Sequence, residues 1–129
     1  EAAGWIDEII SRFQAAGLLN DEEYARMKVN ALHRRGNSTR AIREKLTQKG
    51  IDPETLTQAL AELLQEDPRE ETDLTAALTY ARRRRIGPFR ISARGENRDR
   101  DLAALGRQGF SYDIARRVID AASEDELDR

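Results

Sequence analysis

The sequence lacks several features that define common classes of protein. It contains no cysteine, which excludes disulfide bonds and thiolate metal sites. Its single histidine, His33, has no second histidine or cysteine to complete a metal site, so we expect no metal and no other cofactor. No apolar run approaches the roughly 20 residues that a membrane-spanning helix needs, and no signal peptide is recognisable. We therefore expect an intracellular, cytoplasmic protein.

Residues that favour β-sheets or catalysis are also scarce. Valine occurs only as Val29 and Val118, aromatic residues make up 5% of the chain, and apolar and polar residues alternate nowhere for long, which argues against a sheet. The sequence shows no Gly-rich phosphate loop and no paired nucleophile and base, so we do not expect an enzyme. The acidic Asp21, Glu22 and Glu23 suit the first turn of a helix, whose dipole favours negative charge there.

The clearest positive feature is a short helix with a defined start and stop. Ile42 and Leu46 are four residues apart, so they share one face of this helix. Ser38 or Asn37 can cap its start, because a short polar side chain satisfies free backbone N–H groups. Gly50 can end it, since glycine enters the left-handed conformation that follows a helix without steric cost.

A second helix restarts at once, and the whole pattern recurs about sixty residues later. Asp52 can cap the restart, and Pro53 suits the first helical position. The segment LTQKGIDPETLTQAL at 46–60 aligns with LGRQGFSYDIARRVI at 105–119, so that the glycine, the next apolar residue, the cap and the apolar stripe match in order. The sequence therefore predicts an all-α protein built from tandem three-helix repeats.

The helix pattern divides the chain into four parts. Asp67 and Pro68 interrupt it, and residues 69–72 read as a charged linker. In the second repeat, Tyr24, Met27, Ala31 and Leu32 form the predicted inner face of the first helix. The predicted parts are 1–19, the last helix of an incomplete first repeat with Trp5, Ile6, Ile9, Ile10 and Phe13 as its apolar residues; 20–67, a second three-helix repeat; 73–122, a third; and 123–129, a fraying tail.

Charge is distributed unevenly along the chain although the net charge is only −2. Residues 82–100 contain eight arginines and two acidic residues, which gives this stretch a net charge of +6. Residues 62–73 and the tail from Asp120 are acidic, and 89–96 reads as a mobile basic loop. Such asymmetry predicts a polyanion or an acidic protein surface as the partner.

Three segments of the chain resemble the RecX family of bacterial recombination regulators. They are GLLNDEEYA from Gly17, RRGNSTRAIREKLTQKGI from Arg34 and DLAALGRQGFSYDIARRVI from Asp101. The second contains the pattern R-x-I-x-x-x-L-x-x-K-G-I, and the third contains the closing motif G-F-S-Y-D. The resemblance covers about residues 5–122.

This resemblance implies an elongated, curved stack of three-helix repeats that binds the RecA recombinase. It implies that the protein lies along the RecA–DNA filament, or caps its growing end, and mostly inhibits strand exchange, ATP hydrolysis and repressor cleavage. Family members usually carry three repeats, so the first repeat is expected to be incomplete here. The expected partners are RecA and the single-stranded or duplex DNA within the filament, with weak direct DNA binding, no membrane and a monomeric protein.

Arginines are the candidate contact residues, because guanidinium groups bind phosphates and acidic side chains. Four successive arginines repel one another and are seldom kept for stability, although arginines at helix ends also occur as solvated groups favoured by the dipole. Tyr80 and Phe89 lie next to them, and we assign both to the core rather than to base stacking. The predicted contact residues are Arg34, Arg35, Arg40, Arg43, Arg82, Arg83, Arg84, Arg85, Arg90, Arg116 and Arg117.

Two other functions stay open at this point. The predicted helices at 38–49 and 53–65 could form a helix-turn-helix that binds DNA directly, but the second contains TLTQALAELLQ, which is apolar and offers no arginine or lysine to base edges. We therefore prefer packing as the role of this helix. A structural helical adaptor with another protein partner is the remaining alternative.

Overall fold

In the computed structural model, the described residues are 21–66 and 69–127, together with Gly4, Glu8 and Ile9. Every regular element within the two long ranges is helical, which confirms the all-α prediction. The predicted first helix lies largely outside the described residues, where only Gly4, Glu8 and Ile9 are seen to be helical. The elements are α1 Asp21–Arg34, α2 Thr39–Gln48, α3 Pro53–Glu66, α4 Arg69–Arg84, a 3₁₀ helix Gly87–Phe89, α5 Arg98–Arg107, α6 Tyr112–Ile119 and α7 Glu124–Leu127.

The two sets of three helices share two helix pairings, although α1 also packs against α2 and no comparable contact joins α4 to α5. The most extensive packing of α1 is against α3, and α4 packs against α6 in the same manner. The middle helix of each set, α2 or α5, packs against the third helix, α3 or α6. In the second set, the 3₁₀ helix also packs against both α4 and α6. These contacts agree with the predicted tandem repeat of three helices.

Each set of helices surrounds its own hydrophobic cluster. The first cluster contains Ala25, Val29, Leu32, Ile42, Leu46, Leu56, Ala59 and Leu60. The second contains Leu74, Ala76, Ala77, Leu78, Ala81, Ile86, Leu105, Phe110, Ile114, Ala115, Val118 and Ile119. Each Å² of apolar surface that these side chains remove from water stabilises the fold by about 25 cal/mol. The repeated apolar stripe is therefore the main source of stability in both sets.

One inner-face prediction for α1 is wrong. Met27 is 40% exposed, whereas Lys28 is only 2% exposed. The buried face of α1 follows Ala25, Val29 and Leu32, which lie at the spacing of one helix face. Met27 is two residues beyond Ala25 and therefore about 200° around the helix from it.

The predicted caps form as local hydrogen bonds. Ser38 Oγ accepts from the backbone N–H of Ala41 at 3.0 Å, and Asp52 Oδ2 accepts from that of Thr55 at 3.2 Å. In the second set, Ser111 Oγ accepts from the backbone N–H of Ile114 at 3.2 Å, as its aligned position predicts. Gly50 has a φ of +85°, which confirms the left-handed stop after α2.

The prediction of a charged linker at 69–72 is wrong, because α4 begins at Arg69. The early part of α4 docks on the junction of α1 and α2. His33 Nε2 donates to the carbonyl oxygen of Thr72 at 3.1 Å, and the backbone N–H of Thr39 donates to Asp73 Oδ1 at 2.9 Å. Thr72 and Asp73 are consequently buried. Charge composition does not reveal such contacts with residues more than thirty positions away.

The basic loop and the tail also differ from expectation. Residues 89–96 are not a free loop, because Arg94 Nη2 donates to the carbonyl oxygens of Ile119, at 2.7 Å, and Ala121. The last helix of the repeat, α6, ends at Ile119, and part of the predicted fraying tail forms α7. Leu127 of α7 packs against the second hydrophobic cluster. None of the helices in the described part of the chain is both long enough and apolar enough to cross a membrane.

Candidate partner-binding surface

The basic end of α1 lies directly against α4. Gly36 follows α1 with a φ of +93°, and a Cβ atom there would lie 3.1 Å from the backbone N of Tyr80 and 3.2 Å from the carbonyl oxygen of Ala76. These distances are closer than ordinary side-chain contacts, and only glycine permits them without displacement of a helix. The segment that carries Arg34 and Arg35 is thereby placed beside the second half of α4.

Two of the arginines at the end of α4 lie over partly buried aromatic rings. The guanidinium of Arg82 lies 5.5 Å from the ring centroid of Phe89, and that of Arg84 lies 5.5 Å from the ring centroid of Tyr80. Both rings are half-buried and pack against the second hydrophobic cluster, which agrees with their assignment to the core. Such cation–π contacts orient both guanidinium groups, and Arg84 forms no salt bridge with the described residues.

Arg85 has an unusual backbone conformation for its residue type. Its φ is +56°, a left-handed conformation that costs an L-residue about 1–2 kcal/mol. The backbone N–H of Ile86 donates to the carbonyl of Ala81 at 3.1 Å, as that of Asn37 donates to Leu32 at the end of α1. Arg85 thus occupies the position that Gly36 has in the first set. Arginine occupies a position where glycine would be less strained, and strained backbone of this kind is frequent at functional sites.

Several predicted contact residues remain available to a partner. Among residues 21–66 and 69–127, the exposed arginines that form no salt bridge and no cation–π contact include Arg34, Arg43, Arg83, Arg85, Arg116 and Arg117. Arg40 and Glu44 form an exposed pair at 3.4 Å, and Arg82 is paired with Glu124. Exposed pairs of this kind contribute about 0–1 kcal/mol and yield readily to a competing anion.

The predicted contact role of Arg90 has to be revised, because the guanidinium of this residue is held inside the chain. Its Nε and Nη2 donate to the two carboxylate oxygens of Asp101, each at 2.7 Å, and the backbone N–H of Gly87 donates to the same carboxylate at 2.9 Å. The Asp101 side chain is 1% exposed. We therefore assign Arg90 to the support of the turn between α4 and α5 and leave it out of the contact surface.

This internal pair shifts the pKa values of both partners. Burial alone would raise the pKa of Asp101, but hydrogen bonds from Arg90 and the Gly87 backbone N–H, with the positive charge of Arg90, hold it below its ordinary value. The hydrogen bond to Asp101 raises the pKa of Arg90. A second pair acts similarly at the end of α6, where a hydrogen bond from Arg98 lowers the pKa of Asp120. All four groups are charged at neutral pH.

The structure brings some predicted arginines together and leaves others apart. The segment containing Arg34 and Arg35 meets α4, which carries the 82–85 arginines. Arg43 lies on α2, where it lines a shallow pocket with Leu60 and Leu64. Arg116 and Arg117 line a depression on α6, next to Glu126 and Leu127 of α7. The same short helix carries Glu124, which pairs with Arg82, so α7 lies beside predicted contact residues of both α4 and α6.

The two repeats are joined where the start of α2 meets the end of α5. Ser38 Oγ donates to the carbonyl oxygen of Gln108 at 3.0 Å. A Cβ atom on Gly109 would lie only 2.6 Å from Ser38 Oγ. The residue that caps α2 thus also fixes the position of the second repeat. Arg107, which is not among the contact residues predicted from the sequence, also lies at this junction, beside the recurring helix stop.

Comparison with known proteins identifies the relatives of this chain. The family described as "RecX, second three-helix domain" matches residues 20–60. Regulatory protein RecX of Myxococcus xanthus is 45% identical over 123 residues, which cover 94% of this chain and 64% of that protein. The RecX protein of Agrobacterium fabrum is 36% identical over 111 residues, covering 85% and 56% respectively. That of Mycobacterium leprae is 32% identical over 124 residues, covering 95% and 70%.

The chain therefore spans between half and three-quarters of the length of these relatives, with 64% and 56% for the first two. No solved structure matches the chain.

Proposed function

Because this chain belongs to the RecX family of regulatory proteins, we propose that it docks on the filament that the RecA recombinase forms on DNA. The docked protein restrains strand exchange, ATP hydrolysis and repressor cleavage in the cytoplasm. It acts by position and charge and not as an enzyme. Bound in the filament groove or at the filament end, it occupies space that duplex DNA or repressor would use.

The observation that carries this proposal is the meeting of two basic helix ends. Gly36 sets the arginine-bearing end of α1 against α4, and Arg83, Arg84 and Arg85 are exposed at the end of α4. None of these three forms a salt bridge within the described ranges. Adjacent guanidinium groups without salt bridges repel one another and add little stability to the isolated protein. Phosphates or acidic side chains of a partner would compensate this charge.

The proposal is tested with RecA-dependent ATP hydrolysis on single-stranded DNA, measured with increasing amounts of this chain. We expect inhibition by the unmodified chain and weaker inhibition by Arg83→Glu. Arg100→Glu is the matched control, because Arg100 is also exposed and helical but lies outside the predicted contact set. Circular dichroism of each variant verifies that the helices persist. Equal inhibition by both variants would exclude the α4 arginines from docking, and no inhibition by the unmodified chain would refute the proposal.

The helix-turn-helix alternative gains no support from the geometry. The presumptive recognition helix, α3, contains no arginine or lysine. Its apolar Leu56, Ala59 and Leu60 are buried in the first hydrophobic cluster. Direct recognition of bases requires a helix whose polar donors reach the major groove. Tight binding to naked duplex DNA in the absence of RecA, measured at two salt concentrations and dependent on the base sequence, would revive this alternative.

A further inference from the structure

A groove runs between the two repeats, along α2 on one side and the end of α5 on the other. Its volume is about 360 Å³. Its walls come from both repeats, and the hydrogen bond from Ser38 to the carbonyl oxygen of Gln108 joins the two sides. Its polar lining side chains are Arg40, Glu44, Lys45, Gln48, Arg107 and Gln108.

The charge of this groove is positive. Arg40, Lys45 and Arg107 face one acidic residue, Glu44, so the lining has a net charge of +2. The single acidic residue contacts Arg40 through an exposed pair at 3.4 Å, which is long for a charged hydrogen bond. Arg107 forms no salt bridge with any residue in 21–66 or 69–127.

Lys45 is held in place by a chain of hydrogen bonds. Its Nζ donates to Asn37 Oδ1 at 2.6 Å, and Asn37 Nδ2 donates to the carbonyl oxygen of Leu32 at 2.9 Å. Asn37 is itself buried. The ammonium group of Lys45 is thus attached through Asn37 to the end of α1, and two of its three N–H donors remain for a ligand.

The groove lacks the features that a peptide ligand would use. Its lining contains no large apolar or aromatic side chain, and Ala41 provides the one methyl group. Protein interfaces depend on buried aromatic and aliphatic anchors, for which this groove offers no pocket. Arginine, lysine and glutamine side chains with closely accessible backbone are the groups that contact nucleic-acid phosphates.

We propose that this groove binds the phosphodiester backbone of DNA, with Arg40, Lys45 and Arg107 as phosphate contacts. The inference rests on the proposed function, since it assigns the DNA contacts of the docked protein to the junction of the repeats. The arginines of α4 then remain for the other contacts of the filament. The groove is expected to bind DNA independently of its base sequence, because phosphate contacts carry no base information.

The test measures binding to a labelled single-stranded oligonucleotide, alone and covered with RecA, by fluorescence anisotropy over a series of salt concentrations. The variants are Arg107→Gln and Lys45→Gln, which each remove one charge. Arg100→Gln is the control, because Arg100 lies on the same helix as Arg107 but outside the groove. Thermal melting of each variant shows whether the fold persists. If Lys45→Gln lowers the melting temperature because the hydrogen bond to Asn37 is lost, Arg107→Gln alone tests the groove.

We expect each groove variant to lower the slope of log K against log salt by about 0.7 on the naked single strand. Relative to 1 M salt, this slope change corresponds to a loss of affinity of roughly eightfold at about 50 mM salt and roughly threefold at about 200 mM. The control should leave both quantities unchanged. An unchanged slope for Arg107→Gln, or an equal effect of Arg100→Gln, would overturn the groove assignment.

The two ligands separate this inference from the proposed function. If the unmodified chain binds the filament and Arg107→Gln has the same affinity and the same salt dependence as the unmodified chain, the groove assignment fails and filament docking stands. If the chain does not bind the filament but Arg107→Gln lowers the salt slope on naked DNA, the groove stands and filament docking fails. If neither ligand binds, both are overturned.

Discussion

Gly36 and Gly50 have the same backbone conformation in very different surroundings, and we expect alanine to separate the two effects. Their φ values are +93° and +85°. A Cβ atom on Gly50 would meet nothing within 4 Å, whereas one on Gly36 would lie 3.1 Å from the backbone N of Tyr80 and 3.2 Å from the carbonyl oxygen of Ala76. Alanine at position 50 therefore tests conformation alone. Alanine at position 36 also tests the docking of α1 on α4.

The magnitudes follow from these two situations. A left-handed L-residue costs about 1–2 kcal/mol, and the loss of glycine's freedom in the unfolded chain offsets about 0.4–1 kcal/mol of it. Gly50→Ala should accordingly lower the free energy of unfolding by about 1 kcal/mol. At Gly36 the opposing atoms belong to the backbone of α4, so the helices must separate, which adds about 1–3 kcal/mol. The expected total for Gly36→Ala is about 2–4 kcal/mol.

Urea denaturation followed by helical circular dichroism measures both variants against the unmodified chain. We expect the midpoints to fall in the order unmodified, Gly50→Ala, Gly36→Ala, with similar dependence on urea concentration. Equal midpoints for the two alanine variants would refute the close approach of α1 to α4. Gly50→Val should cost about 1–2 kcal/mol or more, because a β-branched residue fits the left-handed region poorly. A melting temperature equal to that of the unmodified chain would contradict the conformation of Gly50.

Two further predictions concern single residues near the candidate surface. Arg85→Gly should stabilise the protein by about 0.5–1 kcal/mol in thermal melting, because glycine adopts the left-handed conformation without steric strain. The same substitution should weaken filament binding. A melting temperature below that of the unmodified chain would contradict the stabilisation. Asp101→Ala should cost about 2–4 kcal/mol, since it removes the acceptor of Arg90 and of a buried backbone N–H. Because folding lowers the pKa of Asp101, its stabilisation is complete above the ordinary carboxyl pKa and is lost as pH falls through the lower folded value. The deficit of Asp101→Ala should therefore shrink between about pH 7 and strongly acidic pH in urea titrations, and a constant deficit would contradict this linkage.

The sequence by itself determined the caps and stops of the helices around the first repeat. The cap at Ser38, the stop at Gly50 and the restart at Asp52 depend on hydrogen bonds between residues three to five positions apart. Such bonds are available to the chain before any tertiary contact forms. The apolar stripes that identified the repeat also became the two hydrophobic clusters, because helix periodicity places them on one face.

Only the tertiary structure decided which of the arginines are exposed and which are bound within the protein. Arg83 and Arg90 belong to the same basic stretch, yet Arg83 is exposed and Arg90 is bound to the buried carboxylate of Asp101, eleven residues further along. Arg40 and Arg107 are sixty-seven positions apart and share one groove. The reason is physical: charge interactions depend on distance in space and on access to water, and neither quantity is defined until the helices pack.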